Sequence, residues 1–386
     1  MQQNTQSIKS AAAKKIMSYD IKSLNHFTET TSFSFLNLPK MSDTKKDIRT
    51  LTKAELRHFF VNRGEKAFRG NQVYEWLWQK SAHSFEDMTN ISKVTRELLE
   101  NHFVINHIQV DQMQRSDDGT IKNAIRLHDG LIVESVLIPT ETRTTACISS
   151  QVGCSLDCKF CATARLKRMR NLNADEIYDQ VVAIDNQSKL YFNRPLSNIV
   201  FMGMGEPLMN YKNVLKAIDK ITSPEGLGIS PKRITVSTSG VPKIIRKLAE
   251  EEVKFNLAVS LHAAIDVIRT SIMPFNNTFT LLDLRESLVF WYQKTKKRIT
   301  YEYVVWEGIN DTQKDVDALV TFCKFAPSKV NLIEYNPIDE GEFLQASEEA
   351  IQRYVKTLER NKITVTIRRS RGKDIDAACG QLANKS

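Results

Sequence analysis

Three cysteines lie close together near the middle of the chain, in the stretch Gln151-Val152-Gly153-Cys154-Ser155-Leu156-Asp157-Cys158-Lys159-Phe160-Cys161. Their spacing, C-x3-C-x2-C, places three thiolates on one short loop. A structural zinc ion and a fully protein-ligated iron–sulfur cube each need four protein ligands. The next Cys or His residues downstream are distant, at His262 and Cys323. The pattern therefore favours a three-cysteine cube with one iron open to substrate, and a zinc knuckle is the alternative.

Composition limits the class of protein. The chain has 386 residues, 41% of them hydrophobic, and a net charge of +9. This length favours one large domain with one or two small ones, and the charge fits either polyanion contact or a solvated surface. Six cysteines in this length are too few for a disulfide scaffold, which indicates a reducing compartment. We find no long apolar run or signal peptide, so a cytoplasmic protein without membrane contact is expected.

The chain divides into four segments. Residues 1–40 are polar and are interpreted as a flexible tail, or as an extension upstream of the usual initiator at Met41. Residues 41–108 show helical periodicity and begin with the capping pair Thr52 and Glu55, which predicts an N-terminal helical domain. Its basic residues fit either RNA contact or a solvated helix face. These are Arg57, Arg63, Lys66 and Arg69. Residues 109–143 contain short β-like runs between Asp-Gly turns and predict a β-extension.

Strands and helices alternate over residues 144–380. The predicted strands cover residues 146–150, 198–202, 233–237, 254–260, 299–305 and 329–335, and a last strand covers 363–369. Six such units predict an α/β fold with a partial (β/α)6 barrel, preceded by the helical domain and the β-extension. In parallel α/β folds the chemistry lies at the carboxyl ends of the strands.

Small or polar residues follow four of these strands directly. The four motifs are Gly203-Met204-Gly205-Glu206-Pro207, Ser237-Thr238-Ser239-Gly240, Ser260-Leu261-His262 and Glu334-Tyr335-Asn336-Pro337. Each motif alone is an ordinary turn, but four of them beside the cysteines predict one ligand pocket. In it, Gly205 would let the backbone approach an amino acid ligand, and Glu206 would accept hydrogen bonds from its ammonium group.

Three cysteines lie outside the cluster loop. Cys147 on the first predicted strand and Cys323 on a helical stripe fit buried packing positions. Cys379 follows a basic run, a setting that lowers the pKa of a thiol and favours the thiolate. That run contains Arg368, Arg369, Arg371 and Lys373, and a second run contains Arg165, Lys167, Arg168 and Arg170. Positive charge near both reactive elements predicts an anionic macromolecular substrate such as RNA.

Over residues 41–379 these motifs resemble those of the RlmN/Cfr family of radical S-adenosylmethionine (SAM) RNA methyltransferases. The resemblance rests on the cysteine loop, the strand-end motifs and the terminal Ala378-Cys379-Gly380. It implies that Cys154, Cys158 and Cys161 bind one [4Fe-4S] cluster. It also implies that two SAM molecules are used per turnover. The implied SAM contacts are Gly205, Glu206, Ser237, Ser260, Leu261, His262 and Asn336.

The resemblance also implies a reaction, methylation at C2 of adenine in 23S rRNA and in some tRNAs. Cys379 is expected to take a methyl group from SAM and then to form a covalent protein–RNA adduct. Glu134 is expected to accept the C2 proton, and Cys147 to attack the Cys379 sulfur, leaving a disulfide. An external flavodoxin-like electron donor is expected, and the chain is expected to act as a monomer.

Three other activities remain open. Cfr-type methylation at adenine C8 uses the same motifs, although the stretch over residues 64–78 favours C2. An RNA-binding protein with a structural metal and no turnover would have a closed zinc site and dispensable Cys147 and Cys379. A radical SAM enzyme acting on a small molecule would leave the basic runs unexplained.

Overall fold

The computed structural model describes residues 45–384. Its first part contains three helices and one short pair of parallel strands. The predicted tail over residues 1–40 and the candidate initiator Met41 lie outside the described residues. The first elements are β1 (Lys46–Asp47), α1 (Lys53–Val61), α2 (Phe68–Trp78), α3 (Lys93–His102) and β2 (Phe103–Val104). The predicted capping pair is confirmed. The side chain of each residue, Thr52 and Glu55, accepts a hydrogen bond from the backbone N–H of the other.

Three antiparallel strands follow. They are β3 (Gln109–Arg115), β4 (Ile121–Arg126) and β5 (Ile132–Pro139). Strand β5 then pairs with the first strand of the α/β region, so the three strands extend the main sheet.

The α/β region alternates strands and helices as the sequence predicted. Its first half contains β6 (Thr144–Cys147), β7 (Gln151–Val152), α4 (Ala162–Arg165), β8 (Arg170–Asn171), α5 (Ala174–Phe192), β9 (Asn198–Phe201), α6 (Tyr211–Thr222), β10 (Ile234–Thr238) and α7 (Pro242–Glu250). Its second half contains β11 (Asn256–Ser260), α8 (Asp266–Ile272), α9 (Leu281–Thr295), β12 (Ile299–Val304), α10 (Gln313–Cys323), β13 (Ser328–Ile333), α11 (Glu348–Arg360) and β14 (Thr364–Arg368). Helix α8 was not predicted.

Ten strands form one sheet in the order β14-β13-β12-β11-β10-β9-β6-β5-β4-β3. The seven strands from β6 and β9 through β14 pair in parallel, which confirms the partial barrel. The barrel is open because β3 and β14 are the two edges of the sheet. Ser237 on β10 pairs with Ala258 on β11, and Ser260 pairs with Glu302 on β12, so the carboxyl ends of these strands lie side by side.

A buried arginine joins the N-terminal helices to the barrel. Arg49 is 8% exposed and donates hydrogen bonds to Asp179 at 2.8 Å and to Asp175 at 3.1 Å, both on α5. Trp78 packs edge-on against Tyr178 of the same helix, with ring centroids 5.1 Å apart. These contacts fix the helical segment against the outer face of the sheet. Within residues 45–384, no helix has both the length and the apolar character needed to cross a bilayer.

Candidate active site

A cavity opens to solvent where the parallel strands end. All four strand-end motifs and all three cysteines of the loop contribute to its lining, so the predicted pocket is present. The lining residues that the sequence singled out are Cys154, Cys158, Cys161, Gly203, Gly205, Glu206, Ser237, Ser260, His262 and Asn336. We call this space the cluster cavity.

The loop that carries the three cysteines lies between β7 and β8. Cys154, Cys158 and Cys161 all line the cluster cavity, so a group bound by the three thiolates would face this open space. A tetrahedral structural zinc ion would need a fourth protein ligand, whereas an iron–sulfur cube held by three cysteines leaves one iron free for a ligand.

Burial raises the pKa of each of these thiols, in the case of Cys154 to about 12. Isolated thiolates would therefore be unfavourable at this position. Bound metal stabilises a thiolate directly, so the loop is suited to ligation rather than to free nucleophilic chemistry.

Glu206 is a buried carboxylate at the wall of the cluster cavity. One oxygen accepts hydrogen bonds from the Thr238 hydroxyl at 2.7 Å and the Leu208 N–H at 2.9 Å, and the other accepts from the Ser239 N–H at 2.8 Å. Burial raises the pKa of Glu206, and these hydrogen bonds oppose the rise. No Lys, Arg or His of the described chain forms an ion pair with it. An amino acid ammonium in the cavity would supply the missing positive charge.

Gly205 lines the cluster cavity, and its backbone also passes close to Gln151. Its φ is +92°, and a Cβ there would lie 2.5 Å from the Cβ of Gln151. Packing against Gln151 therefore requires a glycine here, and its expected approach to a ligand stays a prediction. Gln151 is fully buried, and its Oε1 accepts the Glu206 N–H at 3.0 Å while its Nε2 donates to Ser155 in the cysteine loop at 2.8 Å. Sequence reasoning missed this link, although Gln151 begins the quoted stretch.

His262 is buried with a φ of +58° and faces the cluster cavity. Its Nδ1 accepts the Val304 N–H at 3.2 Å, so the proton is assigned to Nε2. Burial lowers the pKa of His262 to about 3. The ring is therefore neutral at physiological pH and can donate one hydrogen bond.

Leu261 does not line the cavity, although it was predicted with its neighbours. It is fully buried in the hydrophobic core, because alternate residues at a strand end face opposite sides. Its carbonyl accepts a hydrogen bond from Arg269 at 3.1 Å. Arg269 also donates to the carbonyls of Ser239 and Ser260, and it is fully buried. Sequence reasoning missed Arg269 because it missed α8.

The two remaining candidate thiols, Cys147 and Cys379, line a second cavity. Cys379 lines both cavities, and we call the second one the thiol cavity. Four arginines contribute to its wall. They are Arg143, Arg368, Arg369 and Arg371. Cys323 lies elsewhere, buried on α10 as predicted.

The lowering of the Cys379 thiol pKa expected from the basic run is not found. The residue is exposed, desolvation by its neighbours raises this pKa, and Arg368 opposes the rise. Burial raises the pKa of Cys147 to about 12, and Arg368 opposes that rise as well. Lys373 of the basic run pairs with Glu334 at 2.6 Å. Arg369 approaches Glu348 at 3.9 Å, and Arg371 donates to the Asp118 carbonyl at 3.4 Å.

Glu134 lies on β5 and is 1% exposed. Its Oε2 accepts the backbone N–H groups of Ala383 at 2.8 Å and Asn384 at 3.1 Å, and Lys122 Nζ lies 3.5 Å from Oε1. Glu134 is absent from the lining of both cavities described here. The structure thus places this carboxylate beneath the residues that follow Cys379 at the C-terminus. Lys122 was not singled out by its position in the sequence.

Asn336 connects the cluster cavity to Cys379. Its Nδ2 donates to the Cys379 carbonyl at 3.3 Å. Its Oδ1 is buried without a hydrogen-bond partner in the described structure. An unsatisfied acceptor beside a cavity is suited to a ligand donor, so this residue fits its predicted role in SAM binding.

Two family models match the chain. The model described as the ribosomal RNA large subunit methyltransferase N-terminal domain matches residues 46–105, and the radical SAM superfamily model matches residues 148–320. A probable dual-specificity RNA methyltransferase RlmN from Christiangramia forsetii is 74% identical over 346 residues, which are 90% of this chain and 98% of the relative. The dual-specificity RNA methyltransferase RlmN from Geotalea uraniireducens is 44% identical over 341 residues, covering 88% of this chain and 97% of the relative.

One solved structure is similar over most of its length. The crystal structure of a radical SAM methyltransferase from Sphaerobacter thermophilus has a TM-score of 0.82 and 37% sequence identity to this chain. The match covers 87% of this chain and 99% of that one. The likeness therefore extends beyond the barrel.

Proposed function

Because the chain belongs to the RlmN family of radical SAM RNA methyltransferases, we propose that it methylates C2 of adenine in 23S rRNA and in some tRNAs. The observation that carries this proposal is the position of Cys379, which lines both the cluster cavity and the thiol cavity. A thiol between two cavities can receive a methyl group on one side and deliver it on the other.

The cluster cavity supports the binding of one [4Fe-4S] cluster and of SAM. Cys154, Cys158 and Cys161 would hold the cluster and leave one iron without a protein ligand. Glu206 would receive the ammonium group of SAM, and Asn336 would accept a further hydrogen bond. When bound, the cluster supplies the electron that cleaves SAM to a 5′-deoxyadenosyl radical. Two SAM molecules would be used per turnover, one as methyl donor and one as radical source.

Cys379 would carry the methyl group. Its thiolate would attack the methyl carbon of the first SAM, forming a carbon–sulfur bond as the sulfonium–carbon bond breaks and S-adenosylhomocysteine leaves. Removal of a hydrogen atom from that methyl would let its carbon bond to C2 of adenine, giving a covalent protein–RNA adduct. This route suits C2, because an electron-poor carbon cannot attack the methyl of SAM as an amine would.

Cys147 and Glu134 would release the product. The adduct would lose one electron to the cluster held by the three cysteines, which was oxidised when SAM was cleaved, and Glu134 would accept the C2 proton. Cys147 would then attack the Cys379 sulfur, so that the carbon–sulfur bond breaks, the base gains a proton on its new methyl group, and a disulfide remains. The shared thiol cavity supports this pairing. Glu134 would act only once the N–H groups of Ala383 and Asn384 have left its Oε2.

RNA contact is supported by basic residues near both cavities. Lys167 and Arg168 are exposed beside the cysteine loop, whereas Arg170 is held by Asp129 and Glu176. The helices over residues 45–104 would add to the RNA surface. We further propose an external flavodoxin-like electron donor and a monomeric enzyme.

The proposed function is tested on anaerobically reconstituted protein with SAM, a reductant and a 23S rRNA fragment. Mass spectrometry of the product nucleosides should show 2-methyladenosine. A product of 8-methyladenosine would move the chain to the Cfr-type activity. SAM cleavage without any modified RNA would refute the RNA assignment. Cys379→Ala should keep its cluster and SAM binding and lose RNA methylation.

A further inference from the structure

The C-terminal segment that contains Cys379 is attached to α4, the short helix that begins directly after Cys161. We call the loop that carries Cys154, Cys158 and Cys161 the cluster loop. The Ala162 N–H donates to the Gly380 carbonyl at 2.8 Å, and the Thr163 hydroxyl donates to the Leu382 carbonyl at 2.6 Å. Ala162 and Thr163 are the two residues directly after Cys161. Two hydrogen bonds therefore connect residues 380–382 to the two residues that directly follow Cys161, a proposed cluster ligand.

Thr163 links the backbone beside Cys161 to Leu382. Its side chain is 3% exposed, so its hydroxyl has no access to bulk water as an alternative partner. The hydroxyl donates its one proton to the Leu382 carbonyl, and Thr163 lies only two residues after Cys161.

The backbone from Ala378 to Gln381 makes a tight turn, closed by the Gln381 N–H on the Ala378 carbonyl at 3.1 Å. Gly380 in this turn has a φ of +87°, a conformation that side chains on L-residues disfavour. The Gly380 carbonyl accepts from α4, and the Cys379 carbonyl accepts from Asn336. The backbone that carries the Cys379 thiol is therefore held both by Asn336 and by α4.

We propose that Thr163 is a positioning residue that makes the placement of Cys379 dependent on the folded cluster loop. The inference rests on the proposed role of Cys379 as methyl carrier. When the loop is formed around its cluster, α4 is fixed, and Thr163 then holds Leu382 so that Cys379 faces both cavities. With the loop unformed, both attachments of the segment to α4 are lost.

The test compares Thr163→Val, which removes the hydroxyl at nearly constant shape, with Thr163→Ser, which retains it. Thr222→Val is the matched control, because the Thr222 hydroxyl donates within α6 to the Ile218 carbonyl. Three quantities are measured in reconstituted protein. They are iron per chain, the methylated fraction of Cys379 by peptide mass spectrometry, and hydrogen exchange of the amides over residues 380–384.

Thr163→Val should retain its iron and its SAM cleavage while the methylated fraction of Cys379 falls at least tenfold. It should also form more 5′-deoxyadenosine per methylated adenine, and its amides over residues 380–384 should exchange faster. Thr163→Ser and Thr222→Val should behave as wild type. A purely stabilising role for Thr163 would lower the melting temperature without changing the ratio of SAM cleavage to methylation.

If Cys379 is methylated in Thr163→Val to the same extent as in wild type, the inference is overturned and the proposed function is not affected. Wild-type protein without a methyl group on Cys379 would overturn the proposed function together with the inference. Should Thr163→Val fail to hold iron, a chain ending at Gln381 decides the matter, since it removes Leu382 and leaves the cluster loop unchanged. That truncation should keep its iron and lose Cys379 methylation, and full methylation there would refute the inference.

Discussion

The Glu302 carboxylate accepts a hydrogen bond from the Arg368 guanidinium at 3.1 Å, and the pair separates the two cavities. Glu302 lines the cluster cavity, and Arg368 lines the thiol cavity. Arg368 is also the cation that opposes the upward shift in the pKa of both candidate thiols. The reactivity of these thiols therefore depends on Arg368, and the position of Arg368 is fixed by its hydrogen bond to Glu302 in the neighbouring cavity.

Replacing Arg368 with Gln should slow the alkylation of Cys147. Burial already raises the pKa of Cys147 to about 12, and loss of the nearby cation raises it further. Each added unit lowers the thiolate fraction at pH 8 about tenfold, and the thiolate is the reactive form. Iodoacetamide labelling between pH 7 and 10, followed by peptide mass spectrometry, measures the rate. Arg246→Gln, which removes an exposed arginine paired with Glu286, should leave the rate unchanged. Equal labelling in Arg368→Gln and wild type would disprove this role.

Replacing Glu206 with Gln should weaken SAM binding while the iron content stays the same. The amide preserves the shape of the side chain but removes the charge that would pair with an ammonium group. Hydrogen bonds to charged groups contribute about 1.5–3 kcal/mol, which corresponds to roughly a 10- to 100-fold rise in Kd. Equilibrium dialysis with labelled SAM measures the change. Glu250→Gln, at an exposed helix end, serves as the control. Unaltered SAM affinity in Glu206→Gln would remove this carboxylate from the proposed site.

Much of the fold was predictable because its signals are local. Apolar strands followed directly by Glu206, Ser260 or Asn336 indicate parallel strand ends, and parallel strands bring those ends to one edge of a sheet. The cysteine spacing is local as well. The sequence pattern therefore located the cluster cavity without any knowledge of long-range contacts.

Some of the missed contacts act across long distances in sequence. Lys122 reaches Glu134 from the neighbouring strand β4, but the backbone of Ala383 reaches it across 249 positions of sequence, and no periodicity predicts that encounter. The error over Cys379 has a related cause. Neighbouring basic residues can be counted in a sequence, but which of them lies near the exposed Cys379, and how far its surroundings desolvate the thiol and raise its pKa, follow only from the packed structure.

Replacing Arg49 with Met should destabilise the protein by about 3–5 kcal/mol, because it leaves buried carboxylates without their cation. The loss should depend on pH. Burial raises the pKa of Asp175 to about 6 while Arg49 opposes the rise, so removing Arg49 raises this pKa further. The native variant then binds the proton more tightly than the unfolded chain does. Its stability consequently continues to fall above pH 6, where that of wild type levels off.

Thermal unfolding at pH 5.5 and pH 8 measures this effect. The decrease in Tm should be larger at pH 8. Lys53→Met removes one partner of an exposed ion pair with Glu225, which contributes about 0–1 kcal/mol, and should change Tm little at either pH. A decrease for Arg49→Met that is the same at both pH values would contradict the assigned role of Asp175.

Replacing Gly205 with Ala should be far more harmful than replacing Gly130 with Ala. Both glycines have positive φ, +92° and +81°, so both variants carry the strain of about 1–2 kcal/mol that a left-handed L-residue costs. Around Gly130 a Cβ would meet no atom within 4 Å, whereas at Gly205 it would lie 2.5 Å from the Gln151 Cβ. Displacing Gln151 would break its hydrogen bonds to Glu206 and Ser155. Gly205→Ala should therefore lower both Tm and iron per chain, and Gly130→Ala should lower Tm slightly and keep its iron. Equal iron content in the two variants would show that Gln151 does not support the cysteine loop.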